Sequence, residues 1–108
     1  WCKGDMSIVV LVTASSKEEA DKIAQGLLEE KLAACVNIVE GLESRFWWQG
    51  KIDSAKEILL IIKTRKSLFN KLAKKVQSLH SYTVPEIIAI PIISGSKAYL
   101  DWINDCTK

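Results

Sequence analysis

Two uninterrupted aliphatic runs, Ile8 to Val12 and Ile58 to Ile62, dominate the hydrophobic pattern of this chain. Neither carries a polar residue to mark a wet face, so each reads as a strand covered on both sides and central in a sheet. Between them the period changes. Ala20, Ile23, Ala24, Leu27 and Leu28 recur at three and four residues while Glu29, Glu30 and Lys31 are solvated, which predicts an amphipathic helix to about Lys31. Ser15-Ser16-Lys17-Glu18-Glu19 supplies its start as a capping box, a serine hydroxyl taking a free N–H while a glutamate three residues on reaches back. Ala33 to Val39 reads as a strand, Gly41 as a bulge or kink, and Glu43 to Trp48 as its extended continuation before Gln49-Gly50 turns the chain. Lys51 to Thr64 returns from that turn. Thr64 is positioned to cap a second helix, with Leu68, Phe69, Leu72, Val76 and Leu79 inward and Lys71, Lys74 and Lys75 outward, ending near His80. Val84-Pro85-Glu86 breaks helical structure, and Ile87 to Ile93 forms a last strand whose Pro91 suggests an edge or a strand end. Ser96 to Cys106 closes the pattern as a short helix burying Tyr99, Leu100 and Ile103.

The order β-α-β-β-α-β-α is that of an α+β, ferredoxin-like split βαβ sandwich with a C-terminal helix added, both main helices lying on one face of an antiparallel sheet. One domain over residues 7–108 is expected, after a short tail or expression remnant at 1–6 with Met6 a possible natural start. The other sheet face then lacks cover. Phe46, Trp47 and Trp48 sharpen this, because in an extended strand Phe46 and Trp48 share one face and Trp47 takes the other. A chain of 108 residues has one modest core, so covering both faces points to further copies of the chain, the alternative being dense intramolecular packing.

Composition narrows the function more by exclusion. A net charge of +2 with 26% charged residues gives no reason to expect a polyanionic partner. RNA-binding modules share the element order, but they carry stacking aromatics on the first and third strands, where this chain has aliphatic runs. No apolar run approaches the roughly 18 residues of a membrane span, and no secretory signal is present, so no membrane association is expected. Cys2, Cys35 and Cys106 form no C-x-x-C pair and are odd in number, which fits free thiols in a cytoplasm. No Ser/His/Asp order, phosphate loop or H-E-x-x-H occurs, so no catalysis is expected.

The remaining candidates are few. His80, the only histidine, is either a helix cap or a metal ligand, with Cys35, Glu57, Glu86 and Asp101 as conceivable partners. Cys35, among small and aliphatic neighbours, reads as a buried inert thiol ahead of a reactive or ligating one. Lys51, Lys63, Arg45 and Arg65, with Tyr82, line a cleft for an anion or are simply solvated strand ends.

Dispersed segments in order, Leu32-Ala-Ala-Cys-Val-Asn-Ile38, Phe46-Trp-Trp-Gln-Gly-Lys-Ile52, Ile62-Lys-Thr64, His80-Ser-Tyr82, Val84-Pro-Glu-Ile-Ile88 and Tyr99-Leu-Asp-Trp102, resemble the CutA family, also called CutA1 or divalent-cation tolerance proteins. The resemblance runs from Ile8 to Ile103. It implies a tight homotrimer with a topology similar to PII-type signalling proteins and a part in the response to metal ions, with weak binding of copper or another divalent cation near His80 and no organic cofactor. Family members proposed to bind copper use a cysteine at the end of the first strand and two adjacent histidines; here those positions hold Val12, Leu79 and His80. Ser81 and Thr83 replace the proline and acid of the usual His-Pro-Tyr-Glu pattern. The alternative implied is a PII-like trimeric sensor or scaffold holding a small anion or protein between subunits, in a pocket built from Trp47, Trp48, Glu57, Lys63 and Tyr82.

Overall fold

The computed structural model of the chain describes residues 5–108. Its elements follow the expected order: β1 (Ser7–Ala14), α1 (Lys17–Glu29), β2 (Cys35–Trp48), β3 (Lys51–Arg65), a 3₁₀ turn (Lys66–Leu68), α2 (Phe69–Leu79), β4 (Ile87–Pro91) and α3 (Lys97–Cys106). The sheet runs β2-β3-β1-β4 with every neighbouring pair antiparallel, so the two aliphatic runs occupy its two central strands. Pro91 ends β4 on an open edge, where its missing N–H costs no ladder bond.

Strand alternation then divides the side chains. Val10, Val12, Leu60 and Ile62 are fully buried beneath α1 and α2, against Ile23, Leu27, Leu72 and Val76. Val9, Leu11, Leu59 and Ile61 face the other way and are only half-buried. α3 covers one end of that second face: Ile103 is fully buried there, and Arg65 donates to the Thr107 hydroxyl and carbonyl at 2.8 and 2.6 Å. Tyr99, expected to be buried, is 43% exposed beside Trp102, because α3 reaches only part of the sheet.

The long β2–β3 hairpin projects from this body. Gly41, at φ 85°, sits in the register shift between Val39 and Leu42, so the expected bulge is real. Gln49 and Gly50, at φ 49° and 77°, form the type I′ geometry that matches strand twist, and pair Trp48 with Lys51. The radius of gyration of 14.6 Å exceeds the about 13 Å of a compact chain of this length, and the hairpin accounts for the excess.

Two local expectations change. Thr64 does not cap α2: it is the last buried residue of β3, and its hydroxyl donates to the Leu32 carbonyl at 2.7 Å. The 3₁₀ turn intervenes instead, and Asp5 reaches across from the start of the chain to accept from the Ser67 N–H at 2.9 Å and from the Ser67 hydroxyl. The capping box of α1 is also rearranged. Ser16 accepts from the Glu19 N–H at 3.1 Å, but the Glu19 carboxylate takes the Ser15 N–H at 3.0 Å rather than that of Ser16. Of the expected tail, residues 1–4 lie outside the described residues, while the Met6 carbonyl accepts from the Lys66 N–H.

Candidate functional site

Three elements end at one place: β1 at Ala14, α1 begins at Lys17 and α2 stops at Leu79. His80 joins them. Its side chain is fully buried, with Nε2 2.7 Å from the Thr13 carbonyl and Nδ1 accepting the Tyr82 N–H at 3.0 Å. An acceptor at Nδ1 leaves the proton on Nε2, so the neutral ring spends both nitrogens on backbone. Ser81 then donates its N–H to Glu19 at 2.8 Å. Burial alone would raise the Glu19 carboxyl, but hydrogen bonds from Ser15 and Ser81 outweigh it and hold the group at about 2.

The loop so fixed aims Tyr82 across the sheet. Its hydroxyl donates to Glu57 at 2.8 Å, and its ring lies 4.7 Å from that of His80. Burial, then the bond to Glu57 and the nearby carboxylate charges, push the phenol up to about 12. Glu57 is 8% exposed, the only buried charged residue among the described residues. It opens on a groove of about 820 Å³ whose walls include Phe46, Trp48, Tyr82 and Val84, with Arg45, Asp53 and Glu86 at its polar margins. A second groove, about 440 Å³, runs past Met6, Ile8, Phe69 and Pro91 with Lys66 its one ionisable side chain.

The sequence candidates therefore separate. His80, Glu57, Tyr82, Trp48 and Glu86 gather at this end of the sheet. Trp47 pairs with Ile52 on the opposite face of the hairpin, as alternation requires. Cys35 and Lys63 are cross-strand partners six residues along β3 from Glu57, about 20 Å away at strand rise. Arg65 is engaged by Thr107 and Asp5, Lys51 sits at the hairpin turn, and Asp101 pairs with Lys97 on α3. A copper site anchored by His80 does not fit these residues: the ring offers no free nitrogen, Val12 and Leu79 bring no ligand, and no three His, Cys, Asp or Glu side chains cluster among the described residues. Asp53 escaped sequence reasoning although its signal was present. Counting outward from the Gln49-Gly50 turn places it opposite Phe46.

The comparisons with known proteins agree in one direction. The CutA1 divalent ion tolerance protein family matches residues 8–106. The "Divalent-cation tolerance protein CutA" of Thermus thermophilus is 52% identical over 102 residues, covering 94% of this chain and 99% of that protein. "Protein CutA 1, chloroplastic" of rice is 51% identical over 102 residues, and the chain spans 58% of its length. The solved "Periplasmic divalent cation tolerance protein CutA" of Archaeoglobus fulgidus superposes with a TM-score of 0.93 at 50% identity, over 95% of this chain and all of that one. With the split βαβ topology, the long aromatic hairpin and a match spanning residues 8–106, the chain belongs to the CutA1 divalent ion tolerance protein family.

Proposed function

We propose that this chain acts in tolerance to divalent cations as a non-enzymatic trimer of identical subunits. The observation that carries the assembly is the uncovered apolar surface. Trp47 and Ile52 are 72% and 69% exposed, and Ile88 and Ile90 on the open sheet face are about half exposed. Isolated exposed apolar residues are ordinary, but Phe46 and Trp48 continue the open sheet face along the hairpin while Trp47 and Ile52 expose its other side, and so many together mark an interface. Three is the subunit number that the family resemblance implies. The groove holding Glu57, Tyr82 and Trp48 then forms a pocket at the subunit boundary.

Copper or another divalent cation is the ion this role implies, bound weakly. To reach His80 it must first displace the Tyr82 N–H from Nδ1, and it would find no thiolate beside it. A chelator-competition titration of copper against the reduced protein tests this. The expected dissociation constant is weaker than micromolar; a tighter constant that His80→Gln abolishes would contradict it. The free thiols of Cys35 and Cys106 support a reducing, cytoplasmic setting. Within one chain Lys63 lies at the far end of β3 from the groove, so a small anion held by Lys63 together with Tyr82 would have to bridge two subunits.

A further inference from the structure

We propose that the groove takes an extended organic cation, a ligand with two or more ammonium groups joined by methylenes. The inference rests on the reading of the groove as a ligand pocket and names what that pocket would hold. Three carboxylates, Asp53, Glu57 and Glu86, meet one guanidinium, that of Arg45, along its walls. Arg45 also lies 3.7 Å from Glu43, so its charge is shared away from the groove. An anion would enter against the prevailing charge.

Glu57 makes the case specific. One carboxylate oxygen accepts from Tyr82, and the other has no hydrogen-bond partner among the described residues, although the residue is more than nine-tenths buried. That second oxygen is open to the groove, where it can accept from a charged donor. The spacing of the acids excludes a small ion as that donor: no three of them approach closely enough to share one. Separate carboxylates around a long groove suit a ligand whose positive charges are themselves separated.

The walls fit the rest of such a molecule. Phe46 and Trp48 lie on one face of β2 by strand alternation, and they remain 39% and 59% exposed where the groove opens. Their ring faces attract ammonium groups and pack against methylene stems. Phosphates and carboxylated metabolites would gain neither interaction.

Spermidine is the probe, titrated calorimetrically into the assembled protein at low salt, with subunit mass followed by light scattering in the same samples. Saturable binding is expected, weakened at least tenfold in Glu57→Gln, which keeps the volume and an acceptor for Tyr82, and weakened also in Trp48→Leu. Glu18→Gln, on the exposed start of α1, should leave binding unchanged. Absence of saturable binding, or equal weakening in Glu18→Gln and Glu57→Gln, overturns the inference. A monomeric mass overturns the assembly and leaves the titration to judge the ligand, whereas a trimeric mass without spermidine binding removes the ligand alone.

Discussion

The two faces of the sheet are made by the same four strands and differ in everything that alternation can separate. On one, Val10, Val12, Leu60 and Ile62 lie at zero exposure under two helices; on the other, Ile88 and Ile90 stay about half exposed, and only one end is covered by α3. The first face is completed by local amphipathic helices joined to the strands through short connections. Among the described residues, α3 alone of the helices packs on the second. The chain thus folds around a finished core while presenting an unfinished face, and the projecting hairpin extends that surface beyond the body.

The sharpest way to separate the faces is to damage the finished one. Leu60→Ala removes a fully buried side chain from the middle of β3 and should cost about 3 kcal/mol in urea unfolding, through lost transfer energy and a cavity. An equal cost for Leu59→Ala, the next residue but on the open face, would erase the distinction.

Acid probes the junction that holds the His80 loop. Because the Glu19 carboxyl is lowered from 4.5 to about 2 in the folded chain, its contribution is present above pH 4.5 and is lost as pH falls through 4.5 towards 2. A loss of about 2 kcal/mol is expected across that window, allowing for residual solvent contact. Glu19→Gln should flatten this part of the pH–stability profile; an unchanged slope would show that the carboxylate is not what ties the loop down.

The smallest effect belongs to the hairpin turn. Gly50→Ala places a Cβ at φ 77°, a cost of about 1 kcal/mol, with open space around it, so backbone strain is the whole effect. Gly50→Asn should recover most of it, since asparagine tolerates this region.

The aliphatic runs, the helical spacing and the Gly41 bulge made the topology legible in the sequence, because each depends on neighbours within a few residues. What sequence could not show is long-range exchange of partners. Thr64 had the chemistry of a cap, yet the Leu32 carbonyl claimed its hydroxyl; Asp5, sixty-two residues from Ser67, holds the 3₁₀ turn that precedes α2, and α2 itself has no side-chain cap. The candidate site follows the same rule. Glu57 and Tyr82 could be singled out as residues, but their pairing depends on a loop fixed by Glu19 and Thr13. His80 shows the reverse: a lone histidine invites a metal, and its two backbone contacts are invisible until the chain is folded.

Light scattering of the protein at micromolar concentration, alongside Ile90→Asp, bears most directly on the unfinished face. The account requires three times the 12.1 kDa subunit mass for the unaltered chain and a monomer for the variant, whose charge lands on the open face and leaves the helix-covered core untouched. A monomeric mass for the unaltered chain, or a trimer indifferent to Ile90→Asp, would contradict it.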